Sequence, residues 1–430
     1  MRLASSYGWL AALSMFLAVP VQAQSQRTVI LPPPHVAEDV AYLASDALDG
    51  RLVGTPGADT AAEYIARRFA RAGLQPPQAG WFQEFTVSKD LPQAQKASIG
   101  GATGRNVIGL LPGRDRKRRD EVIVVGAHYD HLGGGLFGAL DPDSAGRPHN
   151  GADDNASGVA TMLEVAQRLA QSRPDRTIVF VAFSGEEVGL LGSAWYVRNP
   201  VAAVARTTAM INFDMVGRLT NERLIVYGTE TAKEFPALLD SLNRSAGFDL
   251  KARGDGYGPS DQSSFYAVKL PVLHFFTDLH EDYHRATDDV GKLNVPGMLR
   301  IAEFATALVR NLADRRRSLT FVEQPPHQQQ AATPGQTRSA GYGAYLGTVP
   351  DMAGDVTGVK LSGVRGGSPA EKAGLQRDDI ITKIGIADVT DLQGMTDALR
   401  DHKPGDEVDV VVLRGGQPVT LKVTLGTRGG

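Results

Sequence analysis

The chain contains no cysteine, and that absence narrows its chemistry at once. No disulfide framework braces it, no lipid is attached through a thiol, and any metal it holds is bound through nitrogen and oxygen. It also lacks an excess of charge. The 45 basic and 48 acidic residues leave a net charge of −3, which argues against nucleic acid as the main partner. The basic run from Arg114 to Asp120 lies between two strand-like segments and reads as a solvated loop. Beyond the first two dozen residues, no stretch is long and apolar enough to span a bilayer.

What the chain does have is length: 430 residues exceed one ordinary core and suffice for two or three domains. Residues 1–23 read as a secretory signal. Arg2 supplies a positive start, Trp9 to Val19 a short apolar stretch, and Val21-Gln22-Ala23 a cleavage pattern. The expected mature chain starts at Gln24 and is periplasmic or secreted. Helical spacing predicts helices over His35–Ala47 and Ala58–Ala72. From Val107 strands and helices alternate. Strand-like runs are Glu121–Gly126, Thr177–Phe183, Ala209–Phe213, Leu224–Tyr227 and Pro271–Phe276. Helical segments are Ser157–Ala170, Phe235–Ala246 and Met298–Leu312, the last followed by Arg315, Arg316 and Arg317, favourable at a helix C-terminus. The alternation implies an α/β domain with a mostly parallel central sheet flanked by helices, over residues 24–319. Residues 320–341, rich in glutamine and proline, read as a linker. Residues 342–427 read as a small β-rich α+β domain, with short β-branched runs and one helix over Met395–Arg400.

Five polar segments fall mostly after apolar strand-like runs, where open α/β sheets gather their ligands. They are Gly126–His131, Gly151–Gly158, Ser184–Glu187, Asn212–Met215 and Asp282–His284. Imidazoles and carboxylates in this number suit zinc or a similar divalent ion. Hydrolysing an amide at neutral pH is within reach of two such ions sharing a carboxylate, with a separate general base nearby. Asp154 is suited to bridging. His128 and Asp214 complete one metal, Glu187 and His284 the other. Glu186 is the free carboxylate for proton transfer. Asp130 is placed to accept the second ring N–H of His128, and Tyr283 to donate to a substrate carbonyl. His131 and His274 read as structural, His149 and His280 as loop residues, His327 as solvated, and Asp261 as part of a pocket loop.

On these motifs, together with Leu48-Asp49-Gly50-Arg51 and Gly54-Thr55-Pro56-Gly57, the chain resembles the co-catalytic di-zinc aminopeptidases, including the bacterial leucyl aminopeptidases and the aminopeptidase Y and S group. The resemblance runs to Thr287-Asp288-Asp289. It implies a zinc-exopeptidase fold, two Zn2+ per chain (Co2+ or Mn2+ being acceptable to the same donors), and peptide substrates. By motif position, it puts the ligands on His128, Asp154, Glu187, Asp214 and His284 and the base on Glu186. It also implies a non-proline cis peptide at Asp154–Asn155. Two departures stand out. Gln262 occupies the place of a histidine in many relatives, and Phe82–Asn106 is too short for a protease-associated insert. Residues 342–427 resemble a bacterial protease PDZ domain. Tyr345-Leu346-Gly347-Thr348 stands where such domains carry the carboxylate-binding loop, and Gly366–Leu375 and Asp378–Ile381 follow. The resemblance implies capture of a protein C-terminus by strand addition, although Pro350 offers no N–H there. The expected activity is removal of N-terminal residues. The rivals are a carboxypeptidase or dipeptidase on the same core, a single-zinc glutaminyl cyclase, and a non-catalytic peptide-binding protein.

Overall fold

Strands with apolar residues on both faces belong at the centre of a covered sheet, and the computed structural model puts them there. It describes residues 1, 34–256, 258, 260–323, 344–350, 356–364, 367–389, 394–395, 398–399 and 401–426. The expected signal segment beyond residue 1 and the linker from residue 324 lie outside the described residues.

The first sheet has eight strands: β1 (Phe82–Thr86), β2 (Thr103–Leu111), β3 (Val122–His128), β4 (Thr177–Phe183), β5 (Thr207–Phe213), β6 (Arg223–Tyr227), β7 (Asp249–Arg253) and β8 (Val272–Phe276), in the order β1-β2-β4-β3-β5-β8-β6-β7. The centre, β4-β3-β5-β8, is parallel, as is the pair β6-β7. The pairings β1-β2, β2-β4 and β8-β6 are antiparallel, so the sheet is mixed, with its parallel part around the expected site.

Side chains of a strand alternate between faces. Ile123 and Val125 of β3 enter one core with residues of the helices α2 (Pro56–Arg71), α4 (Gly158–Ala170), α6 (Phe235–Ala246) and α8 (Val295–Asp314). Val122 and Val124 enter another, with Tyr196 of α5 (Leu191–Arg198) and Phe265 of α7 (Gln262–Tyr266). In α4, Met162, Leu163, Val165, Ala166 and Leu169 are all buried. Each large side chain of that kind contributes about 1.5–3 kcal/mol of transfer free energy. A short helix, α3 (Pro92–Lys96), and α1 (Val36–Leu43) complete this part. The helix expected over His35–Ala47 stops at Leu43, and a tight 3-10 turn, Asp46–Arg51, follows it. The arginines 315–317 do not cap α8 with their side chains. Its last carbonyls instead accept from Arg118 and Arg176, which arrive from neighbouring loops.

The second domain has its own core, formed by Leu346, Leu361, Ile381, Val410 and Val412 among others. Its strands are β9 (Thr348–Pro350), β10 (Val359–Val364), β11 (Ile380–Ile384), β12 (Ala387–Asp388), β13 (Glu407–Arg414) and β14 (Gln417–Thr424), with a short helix α9 (Pro369–Lys372). They pair antiparallel in the order β14-β13-β11-β10-β9, with β12 on β11. Of the helix expected over Met395–Arg400, Met395, Ala398 and Leu399 are helical, and its other residues lie outside the described ones.

Candidate metal centre

Because β3, β4 and β5 run parallel, their carboxyl ends meet on one edge of the sheet. His128 is the last residue of β3, Ser184–Glu187 follows β4, and Asp214 follows β5. Asp154 sits in an irregular turn, residues 152–157, leading into α4. Gly151 opens that turn with φ of 52°, and a Cβ there would lie 2.0 Å from the carbonyl oxygen of Asp154. Only glycine fits. The peptide bond Asp154–Asn155 is cis, as the resemblance implied.

The five expected ligands converge. His128 Nε2 lies 3.3 Å from Oδ1 of Asp154 and 3.4 Å from Oδ1 of Asp214. His284 Nε2 lies 3.2 Å from Oδ2 of Asp154 and 3.3 Å from Oε2 of Glu187. Asp154 thus turns one oxygen to each imidazole. A tetrahedral zinc with ligand bonds of about 2.0–2.1 Å has edges of about 3.3–3.4 Å between ligand atoms. The observed spacings match that edge on both sides. Asp214 Oδ1 is buried and accepts no hydrogen bond among the described residues. An orphaned buried acceptor of this kind is costly unless a cation or donor answers it. The donor set and its spacing therefore fit a pair of divalent ions. Glu186 also reaches the first group. One atom each of His128, Glu186 and Asp214 lie within 4.8 Å of one another.

The loops carrying the expected ligands are stitched together by polar side chains that neighbour them. Asn155 donates to the carbonyl of Phe213 at 2.9 Å and accepts from Met215 N at 3.2 Å, bracketing Asp214 from both sides. Ser157 Oγ accepts from Val216 N, and Asp153 Oδ1 accepts from Gly217 N. Asp288 Oδ2 accepts from the backbone N–H groups of both Asp153 and Asp154. His131, expected to be structural, stands within the centre. Its Nδ1 is 2.7 Å from Oε1 of Glu187, and it forms a potential ligand group with Asp154 and Glu187. The signal that would have found it is its place in the same strand-end loop as His128.

The expected role of the Asp130 carboxylate is corrected. His128 Nδ1 pairs with the backbone carbonyl of Asp130 at 3.2 Å, while the carboxylate is 3.9 Å away. That carboxylate instead accepts the backbone N–H groups of Glu186 and Glu187. It is fully buried, and the two amides of the turn after β4 answer its oxygens where a single ring N–H would leave one bare. Asp130 therefore braces the loop carrying Glu186 and Glu187.

The carboxylates divide electrostatically. Burial pushes Glu186 well above the usual carboxylate range, and Glu187, Asp261 and Asp214 add to the effect against the pull of His128. Burial alone would raise Glu187 too, but the imidazoles of His284 and His131 outweigh it and hold that group at about 2. Asp154 is likewise held well below its usual range, its burial outweighed by His128 and His284. Environments that push neighbouring acids apart mark different roles in one site.

Tyr283 stacks on His284 with ring centroids 3.9 Å apart. His274 is buried on β8 and held at about 4 by that burial. Its Nδ1 pairs with Asn212, which also donates to Ser260 and Gln262. Burial raises Asp261 to about 7. His149 and His280 lie in loops, as expected, where His149 pairs with Asp141 and His280 with Asp153. In the second domain, Tyr345 bridges to Gly426, the carbonyl of Leu346 accepts from Ala370 N, and Gly347 takes φ of 86° before Thr348 opens β9. Pro350 stands opposite Leu361 in the edge strand of that sheet. No helix among the described residues is long and apolar enough to cross a membrane.

Residues 106–309 match the model of peptidase family M28, and residues 340–425 that of the PDZ domain. The chain is 27% identical over 274 residues to leupeptin-inactivating enzyme 1 of Streptomyces exfoliatus, covering 62% of this chain and 53% of the relative. It is 29% identical over 217 residues to aminopeptidase YwaD of Bacillus subtilis, covering 48% and 44%. The chain spans about half the length of these curated relatives. Among solved structures, a zinc aminopeptidase from Bacillus subtilis superposes with a TM-score of 0.54 at 19% identity, over 67% of this chain and 97% of the other. A glutaminyl cyclase from Bacteroides thetaiotaomicron superposes with a TM-score of 0.52 at 17% identity, over 66% and 99%. At these identities the likeness shows the fold, the α/β zinc-exopeptidase type. Residues 106–309 belong to peptidase family M28, and residues 340–425 form a C-terminal PDZ domain.

Proposed function

We propose that this chain is a zinc-dependent aminopeptidase that removes N-terminal residues from peptides outside the cytoplasm, with a catalytic domain over residues 24–319, a linker over 320–341 and a PDZ domain over 342–427. The observation that carries the reading is the shared carboxylate of Asp154, flanked on one oxygen by His128 and on the other by His284. His128, Asp154 and Asp214 would hold one ion, and Asp154, Glu187 and His284 the second. When bound, such a pair lowers the pKa of a water and polarises the scissile carbonyl.

The chain's own residues supply the rest. Glu186, pushed towards a high proton affinity by burial, takes a proton from the attacking water and delivers it to the leaving amine. Tyr283, fixed against His284, donates its hydroxyl to the carbonyl oxygen. The acidic groups of the centre pair with the substrate's free amine. Tyr345, Leu346, Gly347 and Thr348 receive the C-terminus of a protein or peptide at the PDZ domain. The cyclase likeness keeps one rival in view, because the fold alone does not separate amide hydrolysis from cyclisation.

Aminoacyl reporters and their N-acetylated counterparts test the reading, with metal content measured in parallel. The expected result is cleavage of the free-amine reporters, loss after chelation, recovery with about two zinc ions per chain, and no turnover of the blocked peptides. Unchanged cleavage of the acetylated peptides would point to the carboxypeptidase or dipeptidase reading. One metal with ammonia released from N-terminal glutamine would point to the cyclase.

A further inference from the structure

The turn before α2 is unusual. Asp49, Gly50 and Arg51 take φ of 45°, 64° and 49°, three successive residues in the left-handed region. Two of them are not glycine, and such backbone persists where its surroundings hold it. Gly50 is pressed against its neighbours. A Cβ there would lie 2.5 Å from the carbonyl oxygen of Gly133 and 2.6 Å from that of His149.

This turn drives the Arg51 side chain inward until it is 1% exposed. Its Nε donates to the carbonyl of Tyr129 at 2.7 Å. Nη1 donates to the carbonyls of Leu43 and Asn150, and Nη2 to that of Gly151. The backbone of the turn adds two contacts, with His131 N donating to the Arg51 carbonyl and Gly133 N to the Gly50 carbonyl. Arg51 makes no ion pair with a carboxylate among the described residues, although the charges of Asp130, Asp154, Asp288 and Glu187 act on it from nearby. A buried guanidinium spent wholly on backbone carbonyls is an expensive arrangement, so its targets matter. Tyr129 adjoins His128, and Asn150-Gly151 leads into Asp154. The two loops are irregular, and no sheet ladder ties them to each other.

We infer that Arg51 is a positioning residue of the metal centre, whose planar fork sets the distance between the loop carrying His128 and the loop carrying Asp154. The inference rests on the reading of those two residues as ligands. A rigid five-donor fork reaches carbonyls on separate loops at once, whereas a lysine offers its donors from one point. The role is one of geometry, so restoring the charge alone does not restore it.

The test measures zinc affinity against a competing chelator, and the visible spectrum of the Co2+-loaded protein, for the full chain and its R51M and R51K variants. The expected result is a loss of about 10- to 100-fold in metal affinity, as for other residues that orient ligands, together with an altered cobalt spectrum, in both variants. Arg68, a buried arginine that binds Asp39 through two hydrogen bonds away from the strand ends, is the control. R68M is expected to lower thermal stability and leave metal affinity unchanged. Metal affinity in R51K or R51M within about threefold of the parent, against that expected range, would overturn the inference. So would a loss of equal size in R68M.

Hydrogen exchange on the unmutated apoprotein gives a reading that needs no variant to fold. The amides of His131 and Gly133, bonded to the Arg51 turn, are expected to stay protected after chelation, because the turn and not the metal holds the loops. Their rapid exchange in the apoprotein would overturn the inference. A parent protein that binds two ions yet cleaves no free-amine peptide would remove the peptidase reading and leave this one standing.

Discussion

Asp288 holds Asp154 from behind: one carboxylate oxygen accepts the backbone N–H of Asp154 at 3.0 Å and that of Asp153 at 2.8 Å. The other oxygen takes Arg218 Nη2 at 3.2 Å. The carboxylate and the two amides are buried, so each of those amides left bare costs about 1–3 kcal/mol. D288A is therefore expected to destabilise the chain by about 2–5 kcal/mol in denaturant titration, and to weaken metal binding by about 10- to 100-fold. If the variant binds zinc as tightly as the parent, Asp288 does not govern the placement of Asp154.

Glu186 differs from its neighbour Glu187 in lacking an imidazole within ion-pair distance among the described residues, whereas Glu187 faces both His131 and His284. E186Q keeps the shape and removes the proton acceptor. The expected outcome is metal content unchanged and kcat down by about 10²- to 10⁴-fold, with KM little altered. Loss of a metal from E186Q would instead make Glu186 a ligand, which its reach to His128 and Asp214 also allows.

The strands were legible because β3, β4 and β5 are apolar on both faces, and the same pattern located their polar ends. The five positions proposed as ligands followed from those ends and from the motif resemblance. What the chain did not disclose is how the loops are joined. Asn155, Ser157 and Asp288 act through backbone groups 58–135 positions away, and no local pattern marks an acceptor for a distant amide. Asp130 misled for the same reason: the His-x-Asp spacing suggested a side-chain partner, and the backbone carbonyl took that place. The antiparallel pairings were equally hidden, since the apolar middle of β6, Leu224-Ile225-Val226, does not show which way that strand runs.

His131 bonds Glu187 through Nδ1, while its Nε2 is buried and has no hydrogen-bond partner among the described residues. Its bond is to Glu187, while it lies 4.0 Å from Oδ2 of Asp154, the oxygen turned away from His128. H131A is expected to weaken the ion proposed for Glu187 and His284 by about 10- to 100-fold and to affect the other less. A zinc titration followed by calorimetry should then show two separated events where the parent shows events closer in affinity. Equal weakening of both would mean that the two halves of the centre are not independent.

In the PDZ domain the buried Asp379 carries an ion pair that acid would break. Arg414 grips it through Nε and Nη2, each at 2.8 Å. Burial would raise the carboxyl, but the hydrogen bond from Arg414 outweighs it, with help from the Gln376 amide, and holds it below its ordinary value. An unfolded aspartate titrates near about 3.9. With the folded value lower, the contribution of this pair is fully present above that pH and is lost as the pH falls through the folded value. Asp379 adjoins β11, and Arg414 ends β13. Amide exchange in those two strands of the full chain, followed from about pH 5 to about pH 2, should show the domain opening on the acid side. In D379N the same strands should be weaker at neutral pH, and the part of the acid slope due to this group should vanish. A D379N slope identical to the parent's would assign the acid sensitivity to other carboxylates and detach it from the Arg414 clamp.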